Sequence, residues 1–302
     1  MPALLRPLTL AVLLAMLGIV AAASPLTMRV PDGSSPSLGD TSTGDISLRY
    51  VALGDSYTAA PLVPPMSMAG GCLRSERNYP SLVAAALPGV RLADRSCSQA
   101  DSSHLSSPQD TGRAVVPPQL DAVGPDTDLV TLAMGGNDFD LFGNLMGHCT
   151  ALRDRDPAGR PCRDAAQQPG GGDVYLEVLP RIRTHLVSAV REIRRRAPDA
   201  EVIVVGYPQI VPAHSRCAAL PFAAGDVAYA RMVNRRLVTT VEEAARRAHA
   251  TYVDVWKATA GHDICADDPW INGARTVFEK ALAYHPFAAE QEAVAELVLA
   301  EL

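Results

Sequence analysis

Along the chain, short runs that are apolar throughout alternate with longer segments that are apolar on one side only. "LRYVAL" (48–53), "TDLVTLAM" (127–134), "AEVIVVGYP" (200–208) and "ATYVDVW" (250–256) are runs of the first kind, and "GVRLADRS" (89–96) is a weaker fifth. A strand with no polar face is one that is covered on both faces. Between these runs, Val178, Ile182, Leu186, Val190 and Ile193 recur at spacings of three and four inside 174–196, with arginines on the other side. That spacing predicts an amphipathic helix, and Pro180 near its start is tolerable there. Segments 226–249 and 286–302 also read as helices. Strands alternating with helices predict an α/β fold, a three-layer α/β/α sandwich around a central parallel sheet. The Pro- and Gly-bearing stretch from Cys149 to Gly172 reads as an inserted loop.

The first 46 residues break the alternation. Arg6, an apolar run from Leu8 to Val20 and the ending Ala21-Ala22-Ala23 have the layout of a signal peptide, residues 1–23, cleaved after Ala23. An uncleaved anchor is the competing reading, because no charge falls between Arg6 and Arg29. Residues 24–46, rich in Ser, Pro, Gly, Thr and Asp, read as a flexible arm. The folded domain is expected over 47–302, and the protein is expected to be secreted, with no stable membrane span once the leader is cut. Without Arg6 the chain has 26 basic against 33 acidic residues, a net charge of −7. An acidic chain without basic runs argues against nucleic acid as a partner.

All six cysteines follow the leader: Cys72, Cys97, Cys149, Cys162, Cys217 and Cys265. In an exported chain an even count reads as three disulfides, but six cysteines allow fifteen pairings and spacing does not choose among them. With no C-x-x-C and no clustered Cys/His pair, a metal site is not expected.

Candidate chemistry sits where the strands end, the place at which doubly wound sheets build their sites. The first strand runs into Gly54-Asp55-Ser56, another into Gly135-Gly136-Asn137-Asp138, and the weak one into Cys97-Ser98-Gln99-Ala100. His285 precedes Pro286 and the last helix. Taken singly, "GDS" is a common turn and helix cap. The other histidines read as surface residues, His185 among them on a polar helical stretch. There is no G-x-S-x-G elbow, H-E-x-x-H pair or P-loop.

Taken in order, "VALGDSYTAAP", "RSCSQADSSHL", "LAMGGNDF" and "YHPFAAEQEAVAE" resemble the SGNH (GDSL-type) hydrolases, in particular secreted actinomycete esterases and lipases, over residues 48–302. The resemblance implies the flavodoxin-like fold of that family and an enzyme, a carboxylic ester hydrolase. It implies Ser56 as nucleophile, His285 as general base, and an oxyanion hole from the N–H groups of Ser56 and Gln99 and the amide of Asn137. It also implies the sequential disulfides 72–97, 149–162 and 217–265. A serine hydroxyl needs such a base before it attacks, and the tetrahedral oxyanion needs such donors.

Several positions depart from the family pattern. The family's D-x-x-H has Leu282 where the aspartate stands, so by resemblance the backbone carbonyl of Leu282 orients His285; Asp263, Asp267, Asp268 and Glu279 are the acidic substitutes within reach of the sequence. Gln99 replaces a glycine, which matters if that position needs positive φ. Ala60 also stands where glycine is usual. The segment 61–71 and the Cys149–Cys162 loop are expected to border the acyl cleft. The reading is a secreted serine esterase or lipase acting as a monomer on a small-molecule or lipid ester, through an acyl-enzyme and without metal or organic cofactor. The competing readings are a carbohydrate or cell-wall O-deacetylase and a non-catalytic exported binding protein of the same fold.

Overall fold

The computed structural model describes residues 47–213 and 216–302; the signal peptide and arm expected over 1–46 lie outside the described residues. All five expected strands form: β1 Arg49–Gly54, β2 Arg91–Asp94, β3 Leu129–Ala133, β4 Glu201–Val205 and β5 Thr251–Val253. They make one parallel sheet in the order β2-β1-β3-β4-β5. Strand order reverses between β1 and β3, and the crevice beyond their carboxyl ends is where such a sheet binds ligands.

Uniform apolarity reflects two covered faces. Val51, Leu53, Val130, Leu132, Val202 and Val204 pack into one core with α3 (Leu141–Leu152), α5 (Leu179–Arg196) and α6 (Asp226–Arg247). Tyr50, Ala52, Leu129, Ile203 and Val205 face a second core with α2 (Tyr79–Ala86), α7 (Val255–Ala258) and α8 (Ala288–Leu299). Successive residues thus point to opposite layers, as the pleat requires, and the three-layer expectation holds.

Two expectations are corrected. The helix expected from Val174 begins at Leu179, with Pro180 in its first turn, where its missing N–H costs nothing. The supposed loop Cys149–Gly172 contains the end of α3, a 3₁₀ turn at Arg153–Arg155 and α4 (Pro161–Ala166). Asp226, fully buried at the start of α6, accepts the N–H groups of Cys162 and Arg163 and so fastens α4. Two-residue antiparallel pairs, Met66–Ser67 with Arg74–Ser75 and Gln109–Asp110 with Val115–Val116, were also unforeseen. The disulfides are Cys72–Cys97, Cys149–Cys162 and Cys217–Cys265.

Candidate active site

Strand β1 ends at Gly54, and α1 (Ser56–Ala59) starts two residues later. A Cβ on Gly54 would lie 2.1 Å from Thr58 Oγ1, so only glycine lets the helix fold back so tightly on the strand end. Asp55 caps the helix: its Oδ1 accepts the N–H of Tyr57 at 2.8 Å. Its Oδ2 accepts the hydroxyl of Tyr207 at 2.5 Å, and that oxygen in turn accepts the N–H of Gly136 at 2.8 Å. Burial pushes the Asp55 carboxyl up to about 7, against these hydrogen bonds. The chain Asp55–Tyr207–Gly136 therefore ties the turn after β1 to the turn after β3.

Ser56 is buried at the first position of α1. His285 Nε2 lies 2.8 Å from Ser56 Oγ, although the two residues are 229 positions apart. The hairpin that carries His285 is fixed at several points. Asn272 N–H donates to His285 O at 2.8 Å, and Tyr57 Oη donates to Tyr284 O at 2.6 Å. Asn272 Nδ2 lies within 3.0 Å of the carbonyls of Arg275, Ala281 and Leu282. Burial holds the His285 imidazole below its ordinary value, partly offset by the carbonyl that its Nδ1 faces.

That carbonyl is not the expected one. His285 Nδ1 is 2.7 Å from Ala283 O, whereas Leu282 O accepts Asn272 Nδ2 at 2.8 Å and the His285 N–H at 3.2 Å. Tyr284 is in the left-handed region, φ +63°, and this tight turn swings the carbonyl two residues back, not three, onto the ring. No carboxylate hydrogen-bonds to His285 among the described residues. Asp263 instead accepts the Cys265 N–H, and the Asp268 carbonyl faces His262.

The three expected oxyanion donors come from the turns after β1, β2 and β3. Ser56 N–H and Gln99 N–H carry no backbone partner among the described residues. Gln99 does require positive φ, at +67°, and the residue is exposed. Its loop is held by Cys97 N–H on Gly54 O (3.1 Å), by Gln109 Nε2 on Ser98 O (2.8 Å) and by the Cys72–Cys97 bridge. Asn137 Nδ2 donates to Ala100 O at 2.9 Å, which spends one amide hydrogen and leaves the second free. Ala60, the other departure from glycine, is also left-handed at φ +52°.

Sequence reasoning missed several residues here. Gln119 caps the end of β1 in bidentate fashion, Oε1 accepting Gly54 N–H at 2.8 Å and Nε2 donating to Gly54 O at 2.9 Å. Gln291 in α8 accepts the Tyr79 N–H and donates to Tyr57 O. Neither carries a motif signal. Of the two segments expected at the acyl cleft, Val63 and Pro64 from the first line an open groove of about 560 Å³ with Pro269, Phe287 and Ala288.

The model of the GDSL-like Lipase/Acylhydrolase family matches residues 52–292. Lipase 2 of Streptomyces coelicolor is 38% identical over 255 residues, covering 83% of each chain. Among solved structures, phospholipase A1 of Streptomyces albidoflavus superimposes with a TM-score of 0.72 at 25% identity, covering 85% of this chain and 100% of its own. The extracellular lipase of Streptomyces rimosus gives 0.67 at 26% identity, covering 84% and 100%.

Proposed function

The chain belongs to the GDSL-like lipase/acylhydrolase family of ester hydrolases, and on that footing we propose that Ser56 and His285 form its catalytic dyad. Ser56 Oγ attacks the ester carbonyl carbon while its proton passes to His285 Nε2. The imidazolium then protonates the departing alkoxide, leaving an acyl-enzyme. Water, deprotonated by the same nitrogen, attacks the acyl carbonyl; the bond to Ser56 Oγ breaks, the imidazolium returns its proton to that oxygen, and the carboxylic acid leaves. The Ser56 and Gln99 N–H groups and the Asn137 amide receive the oxyanion in both steps.

The observation that carries this reading is the 2.8 Å approach of His285 Nε2 to Ser56 Oγ at the switch point of the sheet. The Ala283 carbonyl is a weaker partner for an imidazolium than a carboxylate, about half as strong in hydrogen bonding. It still orients the ring by accepting a hydrogen bond from Nδ1–H. No step in this cycle needs a metal or an organic cofactor.

The substrate is a lipid acyl ester, which the names of the Streptomyces relatives support. Export is supported by the leader-like residues 1–23, by three disulfides and by the likeness to an extracellular lipase. The test is hydrolysis of p-nitrophenyl esters of increasing chain length by the disulfide-bonded protein and by Ser56→Ala. Turnover lost in the variant is expected; turnover retained would discard Ser56 as the nucleophile.

A further inference from the structure

A second polar cluster lies behind the oxyanion donors. Asp138, the residue after Asn137, is buried. Its Oδ1 accepts the N–H of Ser102 at 2.8 Å and its Oδ2 accepts the Ser102 hydroxyl at 2.5 Å. His185 Nδ1, from α5, is 2.9 Å from Ser102 Oγ and 3.2 Å from Asp138 Oδ2. The proton positions follow from counting. A carboxylate only accepts, so Ser102 spends its single hydrogen on Asp138 and has only lone pairs left for the histidine. Nδ1 of His185 must therefore carry a proton and donate. Ser102 is thus locked between a carboxylate and an imidazole, although it is no nucleophile: both groups act on one oxygen, and its proton is held by the acid.

The position of this lock gives it a use. Ser102 ends the loop that begins at Cys97 and carries Gln99 in its left-handed conformation. A non-glycine residue keeps such a conformation only where its surroundings over-determine it. The loop is joined to the turn after β3 at two adjacent points, Asn137 Nδ2 to Ala100 O and the Asp138 carboxylate to Ser102. The two donors, Gln99 N–H and Asn137 Nδ2, thus come from segments bolted together by Asp138.

We propose that Asp138 is a positioning residue of the oxyanion hole, its grip on Ser102 fixing the Gln99 N–H relative to the Asn137 amide. The inference rests on the roles given above to Ser56, Asn137 and Gln99. It predicts an effect confined to the transition state, because the ground-state ester does not yet carry the charge that these donors receive.

The experiment measures kcat and KM on p-nitrophenyl butyrate, melting temperature, and Ki for an alkyl trifluoromethyl ketone, whose serine adduct places an oxyanion in the hole. Asp138→Ala is expected to lower kcat about tenfold by displacing rather than deleting donors, with KM nearly unchanged and Ki weakened by the same factor. Asp138→Asn keeps an oxygen for the Ser102 N–H and restores most of the rate. In an Asn137→Ala background the same Asp138→Ala change should cost much less, since the partner donor is already gone. A fall in melting temperature with kcat and Ki unchanged would overturn the proposal, as would effects that multiply fully in the double variant. Should Asp138→Ala fail to fold, Asp138→Ser, polar but too short to reach Ser102, decides: a matched weakening of kcat and Ki supports the clamp, and unchanged values end it. Turnover that survives Ser56→Ala would overturn the reading of the site, and the clamp with it.

Discussion

Gln99 offers a test in which one position is pushed in two directions for two reasons. It holds φ +67° with an exposed side chain. In Gln99→Gly the Cβ that makes this region unfavourable disappears, a relief of about 1–2 kcal/mol. Glycine also widens the unfolded ensemble, which takes back about 0.4–1 kcal/mol. No buried packing is lost with the side chain, so the net change is about 0.5–1 kcal/mol of added stability. For a domain of this size that raises Tm by about 1–4 °C in calorimetry. The N–H is a main-chain group and survives, and Gln109, Asn137 and the disulfide still hold the loop, so kcat stays within about twofold. Gln99→Pro does the reverse. It removes the N–H and demands φ near −65°, so it lowers both Tm and kcat, the latter by about 10²–10³. A Gln99→Gly protein that melts no higher than the parent would show that the turn stores no strain. Full kcat in Gln99→Pro would remove this N–H from the oxyanion site.

Two further outcomes follow from the His285 hairpin. Burial disfavours the charged imidazole, so His285 remains neutral, and competent as the proposed base, to lower pH than a free histidine. The acid limb of kcat/KM should therefore have its midpoint below about 6.5, and a midpoint above that value in a pH–rate profile would contradict the assignment. In Asn272→Ala, Leu282 O keeps the His285 N–H and Ala281 O keeps the Val277 N–H. The amide has two hydrogens to share among the three carbonyls, so the loss is the net worth of two hydrogen bonds, about 1–3 kcal/mol, read as a Tm drop of about 2–10 °C together with a lower kcat. An unchanged Tm would show that the hairpin does not depend on this amide.

The sheet was legible because a strand covered on both faces writes an unbroken apolar run, as in "LVTLA" of β3, and because long helices such as α5 repeat their apolar stripe many times. The elements that escaped lack such a record. α3 contains Gly143 and Gly147 within a weakly patterned segment, α4 spans only six residues, and two-residue strand pairs have no period to detect. The candidate site divides in the same way. Ser56 and His285 stand in motifs, so their approach was expected. The carbonyl opposite His285 was misplaced by one residue because a left-handed Tyr284 decides which carbonyl turns inward, and a tyrosine gives no hint of that conformation. Gln99 and Ala60 are instructive in the other direction. Where the family usually has glycine, the backbone here is left-handed with a side chain present, which gives a physical reason for glycine at both places. Asp138 and Ser102 stand inside two of the quoted blocks, but nothing in either block pairs them, since their bond exists only once two distant turns meet.

With His285 as the base proposed for Ser56, the span between them also sets when the protein can become active. A chain made from its N-terminus completes the serine turn, β1 and most of the sheet before His285 has been synthesised. Gln291, later still, is what laces the last helix to Tyr57 and to the start of α2. A nascent chain, however well its first strands have paired, therefore presents a serine without its base. On that reading, hydrolytic activity waits for the segment around His285 to be made and packed against Ser56.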